Sequence, residues 1–101
     1  MELFDREERE NARQRAWGEI AEQNDSGWEA QWVPGTMGFH ELCDRSMVLS
    51  GQVFDLLVEH PAAVLDPELY ALAHAAHNAL WQLHRAASIK CVGGEKQRGH
   101  E

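Results

Sequence analysis

The stretch PELYALAHAAHNALWQLHRAAS, residues Pro67–Ser88, decides the fold of this chain. Apolar residues recur in it at steps of three and four, which is the spacing of one face of an α-helix. We expect this apolar seam to face the core. The seam consists of Leu69, Leu72, Ala73, Ala76, Leu80, Leu83 and Ala87.

A second row of side chains runs along the same predicted helix, roughly a quarter-turn from the seam. Its imidazole and aromatic groups are too polar for a core and too aromatic for a plain solvated face. Tyrosine and tryptophan are enriched at binding surfaces, and histidines beside them could make association depend on pH. We predict that this row is a contact surface for the first helix, for a second copy or for a partner protein. This His/aromatic row consists of Tyr70, His74, His77, Trp81 and His84.

A second amphipathic helix is predicted upstream, over about residues 37–60. Thr36 is suited to cap its N-terminus, and His60 ends it because a residue before proline disfavours helical geometry. The link to the next helix is short, so an antiparallel hairpin is predicted over about 37–60 and 67–88. We expect the inner face of the upstream helix to carry Phe39, Leu42, Cys43, Leu49, Val53, Phe54, Leu56 and Leu57.

Two small residues, Ser46 and Ser50, lie four positions apart at the centre of that inner face. Small side chains let two helices approach closely, and Ala73 and Ala76 supply the complement on the facing helix. A further polar helix is predicted over about 2–23. The chain is therefore predicted to be all-α, with the hairpin and the N-terminal helix forming a small helical bundle.

The length of 101 residues suits a single small domain. We predict one helical domain over residues 1–90 and a disordered tail over 91–101. Three short helices often leave a core incomplete, so a homodimer that pools two hairpins is expected. The sequence contains no apolar run of about 18 residues and no apolar signal-peptide core at its charged start, which predicts a cytoplasmic protein without a membrane span.

The formal net charge is −8, and its placement is uneven. Residues 25–68 contain eight acidic side chains and only one basic side chain, Arg45. Direct binding to nucleic acid needs the opposite sign of charge, whereas a basic partner protein fits. The alternative is that these acids are the solvated face of a soluble bundle. The predicted partner-binding carboxylates on the upstream helix are Glu41, Asp44, Asp55 and Glu59.

Six histidines make a metal site the competing interpretation. Facing residues of the predicted hairpin have numbers that sum to roughly 127, which places His84 level with Cys43 and near His40 and Asp44. Imidazole and carboxylate groups suit zinc or iron. His40, Asp44 and His84 are therefore the alternative ligand set, although the preferred interpretation needs no metal and no cofactor.

The sequence contains no motif typical of an enzyme. Cys43 and His40 have one-turn spacing, but Cys43 lies near the middle of an apolar face, where cysteine is usually inert packing. Two cysteines, Cys43 and Cys91, fit a reducing compartment as thiols, and a disulfide between them is the alternative. We therefore expect no catalytic activity.

Three motifs resemble a group of short helical proteins encoded by phages and prophages. They are MGFHE at 37–41, HPA at 60–62 and PEL at 67–69 before an alanine-rich helix, and the similarity spans Thr36–Ser88. The group carries no activity that transfers residue by residue. The resemblance implies a host-takeover or counter-defence factor that acts by binding.

The function that these observations predict is non-enzymatic protein binding. In its most concrete form the chain is an anti-CRISPR-like inhibitor that occupies a basic, nucleic-acid-handling site on a host protein, with its carboxylates mimicking phosphate charge. A metal-binding helical module and a self-assembling structural subunit are the alternatives.

Overall fold

A computed structural model describes the backbone of residues 5–99 and the side chains of residues 5–93. In this range every regular element is helical, which confirms the all-α prediction. The chain divides into two compact units, Met1–Ala30 and Gln31–Glu101, where the sequence predicted one domain. Within the described residues, no helix combines the length and apolar character that crossing a membrane requires.

The first unit contains helix α1, Arg6–Glu22. Its N-cap is Asp5, whose carboxylate accepts a hydrogen bond from the Glu8 backbone N–H at 2.7 Å. The predicted start near residue 2 lies outside the described residues. Trp17 packs edge-on against Trp28 with ring centroids 5.4 Å apart, but α1 contains no buried residue. Contacts between neighbouring turns therefore stabilise α1.

The second unit begins with a tight chain reversal ahead of helix α2, Met37–Val53. Thr36 caps α2 as predicted, because its hydroxyl oxygen accepts a hydrogen bond from the Phe39 N–H at 3.2 Å. The same hydroxyl donates to the Val33 carbonyl at 2.7 Å. Gly35 between them has a φ of 93°, in the left-handed region that favours glycine.

Gly38, in the first turn of α2, allows the preceding segment to lie directly on the helix. A Cβ atom at this position would stand 2.3 Å from the Gln31 carbonyl oxygen and 2.6 Å from the ring of Trp32. Both distances are shorter than van der Waals contact. The close approach of Trp32 therefore depends on a missing side chain.

The end of α2 widens into a π-helical turn, Phe54–Val58, which the sequence analysis did not predict. The Glu59 N–H donates to the Phe54 carbonyl, five residues back, at 3.1 Å. A regular α-helix would bring residue 57 inward, two turns after the buried Ser50. The wider turn shifts the inward position by one residue, so Val58 is 1% exposed and Leu57 is 51% exposed.

The link between the hairpin arms folds into a short helix, α3, Pro61–Val64. His60 caps it, since its Nδ1 accepts a hydrogen bond from the Ala62 N–H at 3.1 Å. The upstream arm thus ends at the predicted proline, but the link is helical rather than irregular.

Helix α4 spans Pro67–Gly99. The Asp66 carboxylate accepts hydrogen bonds from the N–H groups of Glu68 and Leu69, at 2.9 Å and 3.2 Å, so the predicted start is confirmed. The helix does not stop near Ser88. The segment that was predicted to be a disordered tail is helical as far as Gly99.

Helices α2 and α4 pack along each other as an antiparallel hairpin, as predicted. His84 Nδ1 lies 3.0 Å from the Cys43 carbonyl oxygen, which confirms the predicted level of these residues. The core between the arms is thin and partly polar. Among the described side chains, the buried ones are Cys43, Ser46, Ser50, Val58, Ala87 and Cys91.

Candidate functional site

The face of α4 that meets α2 lies between the two rows predicted from the sequence. Ala87 is buried, and Ala73 and Leu80 are partly buried, as expected of the seam. The prediction is wrong for the remaining seam residues, because Leu69, Leu72 and Leu83 are 50%, 62% and 43% exposed. Ala76 is also exposed.

The rotation of α4 follows from the small residues on α2. Ser46 and Ser50 are 3% and 2% exposed, so the two backbones run close together at their level. The inward α4 residues differ in size, since Leu80 is partly buried whereas Ala76 is exposed. The same rotation brings two members of the His/aromatic row, His77 and His84, to the edge of the hairpin interface, where both are partly buried.

These two histidines meet different surroundings. A carbonyl oxygen only accepts hydrogen bonds, so His84 Nδ1 carries the proton and donates it to the Cys43 carbonyl. His77 packs against Phe54 with ring centroids 5.2 Å apart. Its Nδ1 is buried and has no hydrogen-bond partner among the described residues. Both rings were predicted to lie on a contact surface for the first helix, a second copy or a partner, and in the structure they line the edge of the hairpin interface.

The outer members of the His/aromatic row form a chain of ring contacts. Tyr70 lies 5.9 Å from His74, and His74 lies 6.2 Å from His77, between ring centroids. Trp81 contacts His84 at 5.4 Å. Tyr70 and Trp81 stay 40% and 46% exposed. The row therefore offers accessible aromatic surface backed by histidines.

The leucines occupy the opposite face of the hairpin. Residues two positions apart on an α-helix point in directions about 200° apart. Leu72 follows Tyr70, and Leu83 follows Trp81, by this step. On the first arm, Leu42 follows His40, which contacts Cys91 on the His/aromatic side. This apolar face consists of Leu42, Leu49, Leu72 and Leu83, which are 43–62% exposed.

The predicted inner face of α2 is corrected accordingly. Cys43 is buried and Phe39 packs against it, as expected. Leu42 and Leu49 do not pack inward but belong to the apolar face, and Leu56, within the π-helical turn, is 65% exposed. Ser46 and Ser50 take the central positions of the inner face of α2.

The predicted acidic residues lie along the outer side of the first arm. Asp44, Asp55 and Glu59 are exposed. Glu41 forms an ion pair with Arg45, one turn later, so part of its charge is neutralised. Asp44, Asp55 and Glu59 are therefore the exposed carboxylates of this row.

The alternative metal site is not assembled. His84 is turned to a backbone carbonyl, and His40 Nδ1 lies 3.5 Å from the Cys91 sulfur. Asp44 points to solvent. Within the part of the chain whose side chains are described, no three His, Cys, Asp or Glu residues are arranged to hold a metal ion.

A cysteine cluster is the feature that the sequence analysis underweighted. Cys43 from α2 and Cys91 from α4 are both 5% exposed and pack with Ala87 and Phe39. Burial raises the pKa of the Cys43 thiol, and the neighbouring Cys91 adds to the increase. The signal was hidden because the second helix was predicted to end before Cys91.

Comparison with protein-family models, curated proteins and solved structures found no match for this chain. The resemblance to short phage proteins therefore stays a prediction. The features of this chain that bear on function are the two faces of the hairpin and the charges of its first arm.

Proposed function

We propose that this chain is a small, non-enzymatic protein-binding factor that works as a homodimer. The observation that carries the proposal is the apolar face, with four leucines 43–62% exposed across both arms. The core beneath it is small, since the buried apolar residues in the described range are Cys43, Val58, Ala87 and Cys91. Domains of this size commonly complete their core by oligomerising.

A second copy is the occupant that best fits this face. Two flat hairpins that meet through their leucines form a four-helix arrangement with a shared core. Burying the exposed half of one leucine contributes about 1 kcal/mol, so the leucines of two copies together offset the cost of association. The exposed carboxylates Asp44, Asp55 and Glu59 lie off the leucine face, which lets two acidic copies approach.

The dimer leaves the acidic row of the first arm available for a partner. A site that normally binds nucleic acid is basic, and spaced carboxylates can occupy it in place of phosphates. Together with the resemblance to phage proteins, this supports an inhibitor that blocks a nucleic-acid-handling host protein. An anti-CRISPR-like factor in the host cytoplasm is the concrete form of this proposal.

The dimer is tested by two neighbouring substitutions of equal chemistry. Leu49→Asp places a charge on the apolar face, whereas Val48→Asp places it on the outer side of α2, where Val48 is 53% exposed. Sedimentation equilibrium should show a dimer for the parent and for Val48→Asp, and a monomer for Leu49→Asp. A parent protein that stays monomeric at about 100 μM, a range in which weak dimers still form, contradicts the dimer.

The partner is tested by reversing charge on the acidic row. The parent should capture a basic host protein from a nuclease-treated lysate of the source cell. We expect the variant Asp44→Lys/Asp55→Lys/Glu59→Lys not to capture it. The parent should also displace nucleic acid from that protein. Glu7→Lys/Glu8→Lys/Glu19→Lys changes the net charge equally on the exposed surface of α1 and is the matched control. Equal binding by both triple variants would remove the phosphate-mimicry idea.

A self-assembling structural subunit is the second candidate, and the same apolar face favours it. It predicts a discrete assembly larger than a dimer without any foreign protein. Sedimentation of the parent separates the two candidates directly.

A further inference from the structure

We propose that Cys43 and Cys91 are a redox-active pair that closes into a reversible disulfide across the hairpin, with His40 as the base that activates Cys91. The pair joins different arms, α2 and α4, and both residues are thiols in the structure. This inference is independent of the proposed function, because it concerns the inside of one hairpin rather than either face.

The two thiols already share one buried cluster. Each residue is 5% exposed, and together with Ala87 they form the apolar cluster against which Phe39 packs. Cys91 and Ser88 both lie near enough to the Cys43 thiol to influence its pKa. The two thiols therefore share one apolar cluster between the arms of the hairpin.

The surroundings of the two cysteines differ in a way that assigns their roles. The Cys91 sulfur lies 3.5 Å from Nδ1 of His40, whose side chain is exposed and can pass a proton to solvent. The imidazole beside Cys43, that of His84, is hydrogen-bonded to the Cys43 backbone carbonyl, and burial raises the pKa of the Cys43 thiol, with Cys91 adding to the increase and Ser88 opposing it. Cys91 is thus the attacking thiol and Cys43 the resolving thiol.

Thiols that are 5% exposed are accessible only to a small oxidant, and hydrogen peroxide meets this condition. His40 takes the Cys91 proton, and the thiolate attacks one peroxide oxygen. The O–O bond breaks, and the leaving hydroxide takes the proton back from His40 to form water. Cys43 then attacks the Cys91 sulfenic acid, the S–O bond breaks, and a second water leaves with the Cys43 proton. Two thiols lose two electrons, and one peroxide becomes two waters.

The position of the pair gives the disulfide a mechanical effect. The chain itself joins the arms at α3, whereas Cys43 and Cys91 lie toward the opposite end of the hairpin. A cross-link there closes a long loop, which is the arrangement that restricts the unfolded chain most. In a reducing compartment the pair rests as thiols and closes only under oxidative stress.

The first test uses the unmodified protein. It is exposed to hydrogen peroxide, denatured, alkylated and analysed by mass spectrometry of its peptides. We expect an intramolecular link between the peptides of Cys43 and Cys91, reversible by dithiothreitol, and a rise in Tm of about 10 °C. Two cysteines that remain open to alkylation, or links formed only between molecules, would overturn the proposal.

Single variants test the roles without relying on the disulfide. Cys43→Ala should leave a Cys91 sulfenic acid that dimedone traps, whereas Cys91→Ala should leave Cys43 unoxidised. His40→Gln should slow oxidation of Cys91 about tenfold, while His74→Gln, on an exposed α4 position away from the thiols, should not. Equal rates for these two histidine variants, with matching circular dichroism, would remove His40 from the mechanism.

Discussion

Helix α1 and the hairpin of α2 and α4 are stabilised in contrasting ways. In α1, the side-chain hydrogen bonds at Asp5 and between Arg13 and Glu10 each join residues three positions apart, and no residue of the helix is buried. In the hairpin, the decisive contacts join residues far apart in sequence, such as His84 with the Cys43 carbonyl. Substitutions should therefore be costly where the hairpin arms touch and mild along α1.

The largest effect is expected where the arms are closest. Ser50→Leu forces a large side chain into a position that is 2% exposed and should destabilise the hairpin by about 3 kcal/mol. Urea unfolding followed by circular dichroism measures it. Ser50→Ala keeps the small volume and should stay within about 0.5 kcal/mol of the parent. A tolerated leucine would mean that the arms are not held together by small residues.

Two glycines of α2 provide the next comparison. Gly38→Ala places a Cβ against the Gln31 carbonyl and the Trp32 ring, and should cost about 2 kcal/mol. Gly51→Ala meets nothing within 4 Å and should stabilise the helix by about 1 kcal/mol. Thermal unfolding of both variants tests the pair. Changes in Tm of the same sign for the two variants would contradict the close packing of Trp32 on the helix.

The two histidines at the hairpin interface should respond in opposite directions. His84→Leu removes the hydrogen bond to the Cys43 carbonyl and should destabilise by about 1 kcal/mol. His77→Leu removes a buried nitrogen without a partner and should stabilise by a similar amount, about 1 kcal/mol. Chemical denaturation distinguishes them. Destabilisation by His77→Leu would show that this nitrogen is satisfied in solution.

The smallest effect is expected in α1. A hydrogen bond from the Arg13 side chain, at 2.5 Å, lowers the pKa of Glu10 from 4.5 to about 2. The depressed pKa gives the folded helix a stabilisation that is present above pH 4.5 and is lost as pH falls through 2. Both side chains are exposed, so water screens the pair and the gain is slight.

An NMR titration of the Glu10 carboxyl measures this directly. Arg13→Gln should raise the Glu10 pKa toward its ordinary value, with the Gln14 hydrogen bond keeping part of the decrease, whereas Ser50→Leu in the other unit should leave it lowered. An ordinary pKa in the parent would show that the ion pair does not persist in water.

The sequence predicted those features whose chemistry is local. Helix ends could be predicted because capping depends on a few neighbouring residues. The residues that indicated them were Thr36, Asp66 and the prolines after His60 and Asp66. The level of His84 with Cys43 also followed, since it needs only the position of the turn and the rise per residue.

The rotation of each helix about its own axis could not be predicted in the same way. The leucine seam of α4 repeats at steps of three and four, yet Leu69, Leu72 and Leu83 are 50%, 62% and 43% exposed in the structure. Hydrophobic spacing alone cannot distinguish a seam that packs within the chain from one left for a second molecule. The cysteine cluster was underweighted because the predicted helix ended at Ser88, whereas α4 continues beyond Cys91.

The π-helical turn at Phe54–Val58 bears on how this hairpin tolerates changes in chain length. An α-helix that gains one residue must either rotate everything beyond the insertion or absorb the extra residue in one wide turn. The π-helical turn before Glu59 has the form of the second outcome, in which one wide turn holds an extra residue. A related chain with one residue fewer in this segment would keep both arms in register, and its residue 57 would fill the space that Val58 fills here. Alignments of such relatives should therefore place their single-residue gaps in this turn.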